Sequence, residues 1–548
     1  MLRQIAVASL AMSALAASDT VLTNGHIYTA NPKQAWVQAI AITGDKIDAV
    51  GGVDEIARHK AAATKVIDLG GRTVIPGIID GHVHLWFGAL ALHGFNLSTP
   101  ESNITPKDSA LLESKIKAYA ASHPDDPIVY GRAQFITEFS ADTSSFKKPL
   151  VTHEMLDRAV PDRPLVIHDT SEHALWVNQK ALDLAHITDE PWRDPSLDAN
   201  ILRDSQGHPT GVLMESAAEI VEQALPDPPE NVKFEWLTAA QEYLNSFGIT
   251  SVTMATGSLA DIELYSKLRD RGKLTVRTRT AFGAVAVNQH LTRHFLEQLE
   301  TARTKYHDAW VSANLVKFFS DGLADPPLYT LDEFRKIVLE LDKRGFQVMT
   351  HSIGFDSARM VLDAYQAVEK INGPRDRRLR MEHADFLNFD DIPRLARLSV
   401  IANMQPGFCC TPADYGPANI DVWNSLFKAG TMVTFSSDWP CTWPPDPFAA
   451  MQEALTREII RDVTPNGPTG DVLYGKLSER VTIEQAVRAY TRDAAYANFA
   501  ETRTGTLEPG KLADLAVLSQ DIFATKARDL GKTRVTMTMV GGKIVFQR

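Results

Sequence analysis

Cysteine is nearly absent: Cys409, Cys410 and Cys441 are the three in a chain of 548 residues. An odd number confined to the last third is no disulfide framework, and the spacing is not that of a zinc knuckle. They read as small buried hydrophobes. Basic residues are also in deficit, with 56 Lys and Arg against 68 Asp and Glu and a net charge of −12. Nucleic acid demands an electropositive footprint, and this chain has neither that nor a Lys/Arg run. Long apolar runs are missing too, apart from residues 5–17. That stretch follows Arg3 and contains Ala14-Leu15-Ala16. A basic n-region, an apolar h-region and a small-residue site make an export signal, too short to span a bilayer. Export to the periplasm or beyond is therefore expected if the signal is cleaved, and a cytoplasmic location otherwise. Asn96-Leu97-Ser98 and Asn103-Ile104-Thr105 would be glycosylation sequons only in a eukaryotic secretory route. There is no Gly-x-Ser-x-Gly elbow, P-loop or Gly-x-Gly-x-x-Gly fingerprint. His153-Glu154 lacks the second histidine of a zincin helix, and His168 to Glu172-His173 misses the inverted motif by one residue.

What remains is a globular composition, 44% hydrophobic and 23% charged, long enough for one large domain and a companion. Both ends are rich in β runs. Asn24-Gly25, Gly44-Asp45, Gly70-Gly71 and Gly541-Gly542 stand between them as expected turns, Asn24-Gly25 being a strong hairpin signal. The two ends suggest one small β domain built from both termini. The middle alternates. Eight β-branched or apolar runs, at residues 73–80, 250–253, 276–282, 315–319, 347–351, 379–383, 400–403 and 432–436, are separated by helical patterns such as 331–343 and 358–370. Eight alternating units predict parallel strands closed into a (β/α)8 barrel. The gap between the first two runs is too long for one crossover and predicts an α+β insertion at about residues 86–245. The expected layout is a signal peptide at 1–17, β segments at 18–72 and 503–548, and the barrel at 73–502.

Barrels of this kind work at the C-terminal ends of their strands. Those ends carry His82 and His84, Lys317, His351, His383 and Asp438. Residues i and i+2 of a strand share a face, so His82 and His84 can turn together to form a metal seat. His351 and His383 arrive from neighbouring strands to complete or double it. Asp438 is placed to bind the metal and to take a proton from its water. Lys317 sits between Val316 and Phe318, where an unpaired charge is expensive. By itself it would pair with Asp321 or snorkel to solvent. Among four histidines and an aspartate it reads as a ligand, since a neutral amine can capture carbon dioxide as an anionic carbamate.

Asp80-Gly-His-Val-His84, Phe435-Ser-Ser-Asp-Trp-Pro440 and Gly505-Thr-Leu-Glu-Pro-Gly-Lys-Leu-Ala-Asp514 together resemble the amidohydrolase superfamily. Val316-Lys-Phe-Phe-Ser-Asp-Gly322, His351-Ser-Ile-Gly354, Arg380-Met-Glu-His-Ala384, His173-Ala-Leu-Trp-Val-Asn178 and Gly207-His-Pro-Thr-Gly-Val-Leu213 narrow the likeness to the amidohydrolase-3 branch, the YtcJ-like and N-substituted formamide deformylase-like proteins. The resemblance runs from about residue 20 to the C-terminus. It implies a composite terminal β-sandwich, a zinc site of one or two ions (Mn2+ or Fe2+ in their place), a carboxylated Lys317 and hydrolysis of amide bonds. The expected substrate is a small amide-like molecule whose non-peptide carbon–nitrogen bond is cut, with Asp438 as the catalytic residue. Lactones, carbamates and esters are the alternative. A non-catalytic binding barrel would be expected to have lost ligands. No membrane partner is expected, and a homodimer is an assembly the chain could form. His173 would touch the carbonyl or the substrate, or be a buried structural histidine. Trp439 and Trp443 flank Asp438 as pocket wall or as core packing. Two departures from the branch, Phe355 before Asp356 and Gly131-Arg132-Ala133-Gln134 in place of Gly-Trp-Asp, bear on the substrate rather than the metal.

Overall fold

The computed structural model describes residues 17–97, 109–133, 152–170, 173–284, 291–322, 327–407, 420–458, 460 and 475–548. The signal segment 1–16, the sequon at Asn103 and cysteines 409 and 410 lie outside the described residues.

Eight parallel strands form the central sheet: β1 (Ile78–Val83), β2 (Ile249–Gly257), β3 (Arg277–Ala284), β4 (Val311–Phe319), β5 (Gln347–Ser352), β6 (Arg380–His383), β7 (Ile401–Met404) and β8 (Val433–Phe435). A parallel bridge from Val83 to Trp439, just past β8, brings the last strand back to the first. The architecture is the expected (β/α)8 barrel with extra sheets. Ala255, Ala281, Leu315 and Met349, one each from β2 to β5, form an apolar layer, as interiors of such barrels require. The connecting helices follow from local chemistry. Leu331–Lys343 starts at a Thr330–Glu333 capping box and buries Phe334, Val338 and Leu341 at the i, i+4, i+7 spacing of one face.

Two expectations about strands need correction. The run at 73–80 is two strands, because Thr73–Pro76 pairs in the terminal β domain and β1 begins only at Ile78. Pro76 brings no N–H, and at Gly77 a Cβ would lie 2.3 Å from the Thr250 hydroxyl, so the chain changes sheet there. Asn24-Gly25 is not a hairpin. Thr20–Thr23 and His26–Tyr28 lie in different sheets, as do Lys65–Asp68 and Thr73–Pro76 on either side of Gly70-Gly71. These two turns are paired corners of a sandwich, joined by Gly71 N–H to Asn24 carbonyl (2.7 Å) and Asn24 Nδ2 to Asp68 (3.0 Å). Gly44-Asp45 and Gly541-Gly542 do turn antiparallel hairpins.

The sandwich draws its core from both termini, with Leu22, Ile40 and Val74 packed among residues such as Leu515, Val517 and Met539. The segment between β1 and β2 holds a six-stranded mixed sheet, including Val129–Ala133, Leu165–Asp169, Ala174–Val177 and Pro209–Met214, with flanking helices. No helix among the described residues is long and apolar enough to cross a membrane.

One buried ion pair ties the sandwich to the barrel. Arg277 on β3 reaches Asp514 with Nε at 2.8 Å and Nη2 at 3.0 Å; both residues are buried. Asp514 also accepts from Gly541 N–H at 2.7 Å, and Trp310 lies under the guanidinium at 4.2 Å. Removing one member leaves a buried charge unpaired, which costs about 3–5 kcal/mol. Asp514→Ala should lower the urea and thermal unfolding midpoints accordingly; midpoints equal to wild type would show that the pair does not hold the two parts together.

Candidate metal centre

All six expected ligands are buried. His82 Nε2 lies 3.5 Å and His84 Nε2 3.2 Å from Asp438 Oδ1. Lys317 Nζ is 3.4 Å from His82 Nε2 and 4.5 Å from the Phe319 ring. The His383 ring stands 5.1 Å from His82 and 4.4 Å from His351. The strands explain this. Lys317 and Met349, and His351 and Glu382, are register partners in adjacent parallel strands, so they face the interior together. Glu382 takes an inward position on β6, so alternation alone would send His383 outward. His383 (φ +68°) and Ala384 (φ +55°) are instead left-handed, which turns the ring into the mouth. Asp438 is also left-handed (φ +57°). Strained backbone at ligands is typical of functional sites.

Each imidazole has its other nitrogen already engaged. His82 Nδ1 donates to Glu382 Oε2 at 2.6 Å, and His84 Nδ1 pairs with Thr256 Oγ1 at 3.0 Å. His383 Nδ1 donates to Gln405 Oε1 at 2.8 Å, and His351 Nε2 to the Gly322 carbonyl at 2.9 Å. Such partners settle which nitrogen a ligating histidine presents: Nε2 for His82, His84 and His383, Nδ1 for His351. Burial first, then neighbouring positive groups, hold His82, His351 and His383 well below the usual imidazole pKa, so they are neutral as ligands must be. Burial likewise brings Lys317 down to about 8, against the pull of Glu382 and Asp438. At Asp438 burial opposes ionisation, but His82 and His84 outweigh it and keep the carboxyl below the ordinary range.

Beneath the ligands runs a buried polar network that motif reading missed. Glu382 is gripped by Arg380 through Nε (2.8 Å) and Nη2 (3.0 Å) and by Asn403 Nδ2 (2.8 Å). Asn403 Nδ2 also donates to Ser436 Oγ at 3.0 Å, which accepts from Gln405 Nε2 at 2.8 Å. Asn403 and Gln405 are i and i+2 on and just past β7, the same spacing that exposed His82 and His84. The network also explains Gly81, where a Cβ would stand 2.5 Å from Asn403 Oδ1.

His173 comes from the insertion to within 5.7 Å (ring centres) of His351, and its Nδ1 lies 3.0 Å from the Glu215 carboxylate. Burial is outweighed there by Glu215, which raises its pKa. Glu215, also missed, is left-handed (φ +46°). Trp443 is not brought to the ligands. It stacks on Tyr243 at 5.4 Å and lies beside Trp439, whose ring is fully buried against Gly88. Of the two departures, Phe355 packs on Phe386 at 5.4 Å beside Ile353 and Ile420, at the C-terminal ends of the strands. Arg132 donates to the carbonyls of Thr170 (3.3 Å) and Cys441 (3.0 Å), joining the insertion to the loop after β8. Cys441 corrects the reading of the cysteines: it is disulfide-bonded, a pairing made by loop approach that spacing along the chain cannot reveal.

The donor set fits a divalent metal. One atom each of His82, His383 and Asp438 lie within 4.8 Å of one another, and Asp438 Oδ1 is buried with no hydrogen bond. Fold and ligands together define a metal-dependent hydrolase of the (β/α)8-barrel class. A model of the amidohydrolase family, its amidohydrolase-3 branch, matches residues 65–546, and the chain belongs to that family. It is 26% identical to N-substituted formamide deformylase of Arthrobacter pascens, over 97% of this chain and 98% of that one. It is 27% identical to YtcJ of Bacillus subtilis strain 168, over 96% and 98%. In fold it resembles an uncharacterized metal-dependent hydrolase from Pyrococcus furiosus (TM-score 0.67, 23% identity, 92% of this chain and 99% of that one).

A metal bound only by the folded state stabilises it by about 2.7 kcal/mol at a hundred times its Kd. Chelation should therefore lower the melting temperature, zinc or manganese should restore it, and Asp438→Ala should blunt the response; a melting curve indifferent to both treatments would refute the seat. Gly81→Ala should destabilise by about 1–3 kcal/mol through overpacking against Asn403, read by urea unfolding.

Proposed function

We propose that the chain is a zinc-dependent hydrolase that cuts a carbon–nitrogen bond other than a peptide bond, in an amide, N-acyl or N-formyl amine. The observation that carries this is the placement of Asp438, ionised and buried, with the Nε2 atoms of His82 and His84 within 3.5 Å of its Oδ1 and His383 grouped with it and His82. The full-length likeness to a protein named N-substituted formamide deformylase supports the bond type. His82, His84, His351, His383, Asp438 and Lys317 would hold one or two divalent ions, which would supply an acidic water and a polarising centre for a carbonyl. Asp438 takes the water's proton and passes it to the leaving amine, whose expulsion otherwise limits amide cleavage. Lys317 would serve best as its carbamate, because burial brings its amine pKa down to about 8 and the neutral amine is the form that takes up carbon dioxide to become an anionic ligand. His173, held by Glu215, faces the substrate from the insertion. We also place the mature protein outside the cytoplasm, since a disulfide at Cys441 suits an oxidising compartment; an exported protein beginning after residue 17 checks this.

Metal analysis and intact mass, followed by a panel of N-acyl and N-formyl amines, test the reading. Asp438→Asn should lower kcat by about 10²–10⁴-fold. Lys317→Ala should lose activity and regain part of it with short carboxylates. Metal-loaded protein that ignores every amide but opens lactones or esters would refute the carbon–nitrogen assignment.

A further inference from the structure

The ligating histidines differ in what stands behind them. Thr256 offers His84 a hydroxyl, Gly322 offers His351 a peptide carbonyl, and Gln405 offers His383 an amide oxygen. His82 has the shortest of these four contacts, 2.6 Å to the Glu382 carboxylate, whereas the Asp321 carboxylate stands farther from His351 Nε2, at 3.6 Å. A hydrogen bond to an ionised acceptor is roughly twice as strong as one between neutral groups. It also draws the Nδ1 proton away and enriches Nε2, making a better donor to a metal.

We propose that Glu382 is a positioning residue that makes His82 the anchor ligand of the centre, and so sets its affinity for the metal. Three further contacts point the same way. Glu382 and Arg380 are fully buried, so water does not weaken the bond to His82. Arg380 supplies the countercharge on one edge, and Asn403 fills a further acceptor position of Oε2, so the carboxylate cannot swing off the ring. Arg380 Nη2 also donates to the Gly81 carbonyl at 2.7 Å, which holds the backbone immediately before His82. Ring and backbone are thus fixed by one ion pair contributed from β6, 300 residues along the chain from His82.

The inference rests on the reading that this centre holds a divalent ion. Its test is a competition titration of metal-stripped full-length protein with zinc against a chromophoric chelator. Glu382→Gln should weaken zinc binding by about 10–100-fold, and Thr256→Val by clearly less. Because Glu382→Gln leaves Arg380 as an unpaired buried charge and can fail to fold, Arg380→Gln combined with Glu382→Gln replaces the ion pair by two neutral amides and should show the same loss. Nitrogen-15 spectra of labelled histidines supply a readout that general destabilisation does not move: the Nδ1-protonated His82 signal should be present in wild type and lost or shifted in both Glu382 variants. Zinc affinity unchanged in folded Glu382 variants, or equally reduced by Thr256→Val, would overturn the proposal while leaving the metal centre standing. Wild-type protein that takes up no zinc would overturn both.

Discussion

Two backbone hydrogen bonds close the barrel, and the rest of the centre depends on them. Asp438 N–H donates to the His82 carbonyl at 2.9 Å, and His84 N–H to the Trp439 carbonyl at 2.7 Å. Parallel strands pair in fixed register, so joining the first to the last leaves little freedom in where their ends meet. Once they meet, His82 Nε2 and His84 Nε2 each lie within 3.5 Å of Asp438 Oδ1. Strands four, five and six then add Lys317, His351 and His383 around the same opening. Closure converts residues far apart in the chain into one set of donors.

Such a concentration of polar groups inside a barrel is costly unless each is answered. The answer is a layer of partners directly below the ligands. Glu382, Arg380, Asn403, Gln405 and Ser436 satisfy one another and also determine which nitrogen each neighbouring histidine shows. Left-handed backbone at His383 and Asp438 adds strain of order 1–3 kcal/mol each, offset by the surrounding packing of apolar strands and helices. The apolar layer of Ala255, Ala281, Leu315 and Met349 gives the polar one a rigid floor. The insertion closes over the mouth from outside, bringing His173 to His351 and pinning the loop after β8 through Arg132.

Much of this is legible in the amino-acid sequence. The period-two rule exposed His82 and His84, and polar residues at the ends of apolar runs exposed Lys317, His351, His383 and Asp438. The alternation of runs and helical patterns implied the barrel, and the long gap implied an α+β insertion. Glu382 was overlooked because it sits beside a more conspicuous histidine, and Asn403 and Gln405 because neither is a metal ligand. Asn24-Gly25 misled for a different reason: its local chemistry suits a tight turn equally well whether the flanking strands pair or part into two sheets. Trp443 stood close to Asp438 in the chain, but the loop turns its ring toward Tyr243.

Which segments become strands, which side chains can share a face, and hence which groups could ligate a metal follow from periodicity and side-chain type, which are local properties readable along the chain. Tertiary structure alone decided which nitrogen each histidine presents, that Glu382 stands behind His82, that Glu215 holds His173, that Cys441 finds a partner, and that Asn24-Gly25 changes sheet. Those outcomes depend on contacts between segments tens to hundreds of residues apart, and only the closing of the barrel and the packing of the insertion and sandwich around it fix such distances.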